Sequence, residues 1–76
     1  MTKEQIKYVC NYLKFSADRK YACLAMILDD VSANKVEKAF NLPKATASRD
    51  KNKVLSLWDE LVGVAQDVNQ LGGLNI

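Results

Sequence analysis

Apolar residues recur at helical spacing near the start of the chain. Four of them lie at positions i, i+3, i+4 and i+7 and so share one helix face: Ile6, Val9, Cys10 and Leu13. Thr2 and Gln5 have the three-residue spacing of a capping box, in which each side chain bonds the backbone of the other residue. This pattern predicts a first helix over about 3–14.

Two further helices are predicted after serines that are suited to cap a helix. The first follows Ser16 and spans about 17–28, with an apolar stripe formed by Ala17, Tyr21, Leu24, Ala25 and Leu28 and widened by Met26 and Ile27. The second follows Ser32 and spans about 33–40, with a buried edge formed by Val36, Ala39 and Phe40. Asp29 and Asp30 are unfavourable at a helix C-terminus, so we interpret them as residues of a short connection.

A break and a new helix follow at Asn41. Asn tolerates left-handed backbone, while Pro43 disfavours helix at Leu42 and suits the first turn of the next helix. We therefore expect a fourth helix to begin near Lys44.

The fourth helix carries a heptad pattern in its later part. Apolar residues follow one another at intervals of 3, 4, 3, 4 and 3: Val54, Leu57, Leu61, Val64, Val68 and Leu71. These are a and d positions, which favour pairing with the same helix of a second subunit. The alternative is a helix that packs on the first two helices through Trp58. Gly63 indicates a bend or break in this helix. Gly72 and Gly73 predict its end, so we expect the heptad helix over about 54–71.

Chain length and composition support one small all-α domain of four to five helices over residues 1–76. Apolar residues make up 49 % and charged residues 26 % of the 76 residues, a globular balance. A core this small needs a disulfide, a metal or a partner subunit. The chain has no His, and Cys10 and Cys23 are too few for a zinc site, so we expect no cofactor and reduced thiols packed in the core. Pairing with a second subunit in a homodimer is then the remaining way to stabilise the small core.

Several classes of protein are disfavoured by what the sequence lacks. No apolar run reaches the length of about 18 to 20 residues that spans a membrane, and no signal peptide precedes the first helix, so we expect a cytoplasmic protein without a membrane partner. The chain has no Gly-rich phosphate loop and no nucleophile beside a base, so we expect neither an enzyme nor a small-molecule substrate. The aromatic residues at helical spacing are interpreted as core or interface residues: Tyr8, Tyr12, Phe15 and Tyr21.

Charge is distributed unevenly along the chain. Residues 43–58 carry four basic side chains and one acidic one, whereas residues 59–76 carry three acidic side chains and no basic one. The net charge of +2 therefore conceals a basic segment. This division indicates that the basic segment, residues 43–58, faces a polyanion and that the acidic tail, residues 59–76, has a different function.

The segment over about 32–54 has the organisation of a helix-turn-helix, in which a short helix, a turn and a second helix present polar residues to the major groove of DNA. Val36, Phe40 and Leu42 are suited to hold the first helix and the turn. Inward contacts of the second helix are expected from Ala45, Ala47, Val54 and Leu55.

The outward residues of this segment divide by chemistry. Arg pairs with guanine, Asn pairs with adenine and hydroxyls pair with several base edges, so the residues expected to contact bases are Arg49, Ser48, Asn52 and Thr46. Ammonium groups bind the backbone without sequence preference, so the residues expected to contact phosphates are Lys44, Lys51, Lys53, Lys35 and Lys38.

This segment resembles the helix-turn-helix of the PapB-type regulators of fimbrial operons and, more loosely, that of the TrfB/KorA plasmid repressors. The likeness covers about a third of the chain and rests, without a gap, on Ser32, Val36, Phe40, Leu42, Ser48 and Val54. Asn41 replaces the usual turn glycine, and Glu37 stands where many such motifs have alanine. The resemblance implies a bacterial, phage or plasmid transcription regulator that binds double-stranded DNA as a homodimer or higher oligomer.

Two other interpretations fit the same residues. One is a helical hairpin whose basic residues are an ordinary solvated surface. The other is a small phage or plasmid protein-interaction module that inhibits a host factor, as anti-CRISPR proteins do. Such a module would use the basic face to block nucleic-acid contacts, or the apolar tail to bind a partner helix.

Overall fold

The computed structural model of the protein describes residues 1–74, with side chains described for residues 1–63. The regular secondary structure of these residues is all α-helix: there are four α-helices, joined by short connections, and no strand. The helices are α1 (Lys3–Tyr12), α2 (Ala17–Leu28), α3 (Ala33–Ala39) and α4 (Thr46–Leu74). The predicted all-α class is confirmed.

The first three helices begin where their caps predict. The Gln5 N–H donates to Thr2 Oγ1 at 3.2 Å and the Thr2 N–H to Gln5 Oε1 at 2.8 Å, which completes the capping box. Ser16 and Ser32 accept from the backbone N–H groups three residues later, at 3.4 and 3.3 Å. These bonds satisfy N–H groups that have no partner inside their helix. The predicted starts of α1, α2 and α3 are therefore confirmed.

The core lies where α4 packs across α1, α2 and α3. Its buried hydrophobic residues are Ile6, Val9, Cys10, Ala22, Cys23, Leu24, Met26, Val36, Ala47 and Val54. Both thiols are free and fully buried, as predicted. A hydrogen bond to Cys10, together with burial, raises the pKa of Cys23, so this side chain remains a neutral thiol.

The buried face of α2 agrees only in part with the predicted stripe. Leu24 and Met26 are buried, as predicted, whereas Ala17, Tyr21 and Leu28 are exposed. Ala22 and Cys23, which were not in the predicted stripe, are buried. The small side chains at 22 and 23 instead let α2 approach its neighbours closely, because the distance between packed helices depends on the residues at their contact.

The three tyrosines are not core residues. Tyr8, Tyr12 and Tyr21 are 64 %, 67 % and 50 % exposed, while Phe15 packs against the core. Tyr8 and Tyr12 lie four residues apart on the side of α1 away from its buried residues, where their hydroxyl groups stay in water. Of the two positions predicted for the aromatic residues, core or interface, Phe15 has the first, and the tyrosines do not lie in the core.

Helix α4 is longer and more continuous than predicted. It begins at Thr46, continues through Gly63 and includes Gly72 and Gly73 before it ends at Leu74. Apart from the adjacent residues and the helix's own backbone, no atom of the described residues lies within 4 Å of the place where a Cβ of Gly63 would stand. One glycine costs a helix about 1 kcal/mol relative to alanine, which the surrounding helical hydrogen bonds outweigh. The predicted basic helix and the predicted heptad helix are therefore one element.

Candidate nucleic-acid interface

The connection between α3 and α4 is fixed by its own backbone and by two apolar side chains. Asn41 has a φ of 54°, the left-handed conformation expected of it in place of glycine. The Leu42 N–H donates to the Glu37 carbonyl at 2.8 Å, and the Thr46 N–H donates to the Pro43 carbonyl at 3.2 Å. Phe40 and Leu42 pack against the core, as predicted. The connection therefore holds the two helices in one relative orientation.

Two residues predicted to open the last helix belong to this connection. Lys44 lies before the first helical residue, and Ala45 is exposed with a φ of 70° instead of pointing inward. The left-handed backbone at Ala45 redirects the chain into α4, so the helix begins two residues later than expected. Ala47 and Val54 are fully buried, as predicted, and Leu55 is half-buried.

Glu37 caps α4 from a neighbouring helix. Its side chain is buried, and Oε2 accepts from the Ala47 N–H at 3.1 Å. Ala45, which precedes α4, has no side-chain acceptor for the free N–H groups of the first turn. The Glu37 carboxylate supplies one and also complements the positive end of the helix dipole. The residue that departs from the usual motif thus joins α3 to α4.

Replacing Glu37 by Ala is expected to lower the free energy of unfolding by about 1 to 2 kcal/mol, because a buried N–H loses its cap. Urea unfolding followed by circular dichroism measures this change. Glu37→Gln is the matched control, since it keeps an oxygen acceptor and should lose less than half as much. Equal losses in the two variants would show that the charge matters rather than the acceptor.

Asp50 is the second buried carboxylate of this region, and it forms an ion pair with Arg19. It is 3 % exposed, and its two oxygens accept from Arg19 Nε at 2.8 Å and Nη2 at 2.6 Å. The Arg19 guanidinium also lies 4.2 Å from the centre of the Phe15 ring. The hydrogen bond to Asp50 raises the pKa of Arg19, so the side chain stays charged. This pair ties the first turn of α2 to α4.

Sequence reasoning did not identify either of these contacts. The carboxylates of Glu37 and Asp50 lie in a basic segment, where an acidic residue is expected to be an ordinary solvent-exposed residue. One signal was present, because Ala45 offers α4 no cap and a cap from elsewhere was therefore needed. Nothing in the local sequence of Asp50 indicates Arg19, which is 31 residues away.

The exposed surface of the α3–α4 region is consequently basic. Between Val31 and Trp58 the only carboxylates are those of Glu37 and Asp50, and both are buried and hydrogen-bonded. The six basic residues of the same segment are exposed, apart from the half-buried Lys51: Lys35, Lys38, Lys44, Arg49, Lys51 and Lys53. Exposed carboxylates on α4 begin only at Asp59 and Glu60.

The predicted base-contacting residues fall on two flanks of α4. Ser48 and Asn52 are exposed and border a cleft with Lys51, Asp30 and Ser32, at the start of α3. Arg49 is exposed and Thr46 half-buried, and both line a second cleft on the opposite flank. Lys38 and Lys44 border a third cleft beside Glu37. Lys35 is exposed on α3. The structure thus brings Thr46, Ser48, Arg49, Lys51, Asn52 and Lys53 together around the first turns of α4, while Lys38 and Lys44 border a separate cleft and Lys35 lies apart.

The heptad residues divide at Trp58. Val54 is fully buried inside the subunit, and Leu57 and Trp58 pack against the same core. Leu61 is 42 % exposed. Val64, Val68 and Leu71 lie in α4, but their side chains are outside the described part. Val54 therefore serves the subunit's own core, and a surface for a partner helix would begin beyond it.

Comparisons with family models, curated proteins and solved structures yield no match to this chain. The resemblance to the fimbrial and plasmid regulators stays a prediction. Among the described residues, no helix has the length and apolarity needed to cross a bilayer. The described side chains also include no cluster of His, Cys, Asp or Glu that would hold a metal ion.

Proposed function

We propose that this protein is a sequence-specific double-stranded DNA-binding transcription regulator of bacterial, phage or plasmid origin, with α3 and the start of α4 as its helix-turn-helix. One observation carries the proposal. Both acidic side chains of the Val31–Trp58 segment are buried and hydrogen-bonded, so the exposed charges of this segment are all basic, whereas the exposed Asp30, just before it, borders one of its clefts. A surface of this charge attracts the phosphate backbone.

The first three turns of α4 suit the major groove in shape and chemistry. Ser48, Arg49 and Asn52 are exposed there, and Ser56 follows one turn later. Small polar side chains let the helix approach the bases closely, while Arg and Asn offer bidentate pairs to guanine and adenine. Glu37 and Asp50 fix the orientation of this part of α4, so the base-contacting side chains start from a rigid helix.

The lysines supply affinity rather than sequence preference. Lys38 on α3 and Lys44 in the connection border one cleft, Lys35 is exposed on α3, and Lys51 and Lys53 lie on α4. Ammonium groups placed around a helix in the groove contact phosphates on the two bordering strands.

The remainder of α4 supports a homodimer. Beyond Trp58 the heptad continues with Leu61, Val64, Val68 and Leu71 on a helix that extends to Leu74. Asp59 and Glu60 are exposed there and would be repelled by DNA, so this end of the helix points away from the duplex. Two subunits paired in this way would present their basic helices to successive major grooves about 34 Å apart.

Selection of bound duplexes from a random-sequence library tests the proposal directly. We expect enrichment of an inverted or direct repeat with half-sites about 10 base pairs apart, bound far more tightly than random DNA at physiological salt. Fluorescence anisotropy at two salt concentrations then measures the affinities. Absence of binding below micromolar protein, or equal affinity for all duplexes, would contradict sequence-specific regulation and favour a protein-interaction module.

Arg49→Ala is expected to cost about 1 to 3 kcal/mol of binding free energy on the selected site and to relax the preference at one base pair. The cause is the loss of a bidentate base contact. Lys44→Ala is the matched comparison, because it removes one exposed charge that we assign to a phosphate. It should weaken selected and random duplexes equally. Equal losses on both duplexes for Arg49→Ala would show that Arg49 contacts the backbone.

A further inference from the structure

A cationic cleft lies between the first turn of α2 and the first turns of α4. It has a volume of about 340 Å³ and is lined by Arg19, Thr46, Arg49, Asp50 and Lys53. Three of these side chains are cations and one is a carboxylate. Because Asp50 is buried and both of its oxygens are held by Arg19, little of its negative charge reaches the cleft. The cleft therefore presents positive charge to solvent.

Arg19 is held in a fixed position at this cleft. Asp50 binds one edge of the guanidinium through Nε and Nη2, and the Phe15 ring lies 4.2 Å from its carbon. The side chain remains 35 % exposed, so the other edge, with the remaining N–H donors, faces outward. A planar guanidinium with its free donors already oriented loses little conformational freedom when it binds a phosphate.

Helix α4 supplies the other groups of the cleft. Thr46 is the first residue of α4, and Lys53 lies two turns later on the same side of the helix. The Thr46 hydroxyl is a hydrogen-bond donor, Lys53 is an exposed ammonium, and the start of the helix contributes its own positive potential. A tetrahedral oxyanion between α2 and α4 would meet donors from both helices.

We propose that this cleft binds a phosphate group, namely a backbone phosphate of the duplex whose groove receives α4. The proposal rests on the proposed DNA-binding function and adds to it Arg19, a contact residue outside the helix-turn-helix. Arg19, Thr46 and Lys53 hold the phosphate, while Arg49 at the rim reaches toward the bases. The contact fixes the register of α4 along the groove, because phosphate contacts position a protein on DNA.

A paired substitution tests this assignment without changing the net charge. Arg19→Gln combined with Asp50→Asn removes the guanidinium while a neutral hydrogen-bonding pair replaces the ion pair. We expect the affinity for random duplex DNA to fall about tenfold, since a charge-assisted contact is lost. The slope of log affinity against log salt concentration should decrease by about 0.9, the value for one phosphate.

Lys20→Gln is the matched control. Lys20 follows Arg19 in α2, but its ammonium bonds the Asn11 side chain at 3.3 Å, beside α1 and outside the cleft. This variant loses a charge and should nevertheless keep the salt slope of the unaltered protein. An unchanged slope for the paired variant, or equal slope changes in both proteins, would overturn the phosphate site while leaving the proposed DNA binding intact.

A second measurement uses the unaltered protein and so does not depend on how the variant folds. The Arg19 Nε–H resonance in a ¹⁵N-correlated NMR spectrum should shift on addition of duplex DNA, and inorganic phosphate at millimolar concentration should shift it in the same direction. No shift with bound DNA overturns the site. If the protein binds no DNA at all, the proposed function fails, and this inference fails with it.

Discussion

Arg19→Ala lowers the free energy of unfolding by about 2 to 4 kcal/mol, the largest loss of stability that we expect from a partly exposed residue. Removal of one partner of a buried ion pair typically costs about 3 to 5 kcal/mol, because the remaining charge is left without compensation. The remaining charge here is on Asp50, whose side chain is 5 % exposed. Arg19 itself is 35 % exposed, and water that enters its place reduces the cost somewhat.

Urea denaturation followed by circular dichroism measures this loss. Lys20→Ala, one residue further along α2, removes an exposed hydrogen bond and should cost under about 1 kcal/mol. The paired variant Arg19→Gln with Asp50→Asn should recover most of the lost stability, because no buried charge remains unpaired. A loss in Arg19→Ala no larger than that in Lys20→Ala would mean that the ion pair does not stabilise the fold.

If the protein dimerises through α4 and binds DNA as proposed, Leu61→Gln is expected to convert it to a monomer at micromolar concentration and to weaken binding to a two-half-site operator by a factor of about 100 or more. Burial of a leucine is worth about 1.5 to 3 kcal/mol, and a symmetric dimer loses this twice, so the dimer dissociation constant rises by about 100-fold or more. A monomer then binds each half-site separately and forfeits the gain from linked binding. Analytical ultracentrifugation and anisotropy measure the two effects.

Leu28→Gln provides the matched control for this experiment. Leu28 is 43 % exposed and Leu61 is 42 % exposed, so both substitutions place the same amide on a similarly open surface. Leu28 lies on α2, outside the heptad. The control should sediment and bind DNA as the unaltered protein does. A dimer that persists in Leu61→Gln, or one lost equally in both variants, would show that the heptad is not the subunit interface.

Local signals in the sequence located the helices accurately. Thr2, Ser16 and Ser32 cap the helices that they were expected to cap, because capping depends on residues only three positions apart. Asn41 adopts the left-handed conformation for an equally local reason. The buried face of α2 was found only in part, since Leu24 and Met26 were expected in it and Ala22 and Cys23 were not. Which of its two apolar faces points inward depends on how closely α1 and α4 approach, and that is a property of the assembled core.

The candidate site was predictable in its exposed residues and not in its internal ones. Ser48, Arg49 and Asn52 lie exposed on α4, as their positions relative to Ala47 and Val54 indicate. The spacing of a helix is sufficient for that prediction. Arg19 could not be assigned to the site, because its contact with α4 exists only after α2 and α4 have packed together.

The internal carboxylates also have a consequence for how this surface changes over generations. Glu37 and Asp50 fix the start of α4 through hydrogen bonds on its buried side. Exposed residues of the same turns, such as Ser48 and Arg49, make no contact on which the core depends. Substitutions at the exposed positions therefore cost little stability, because surface changes usually shift it by less than about 0.5 kcal/mol. If this surface binds DNA as proposed, new sequence preferences can arise one residue at a time on an unchanged scaffold.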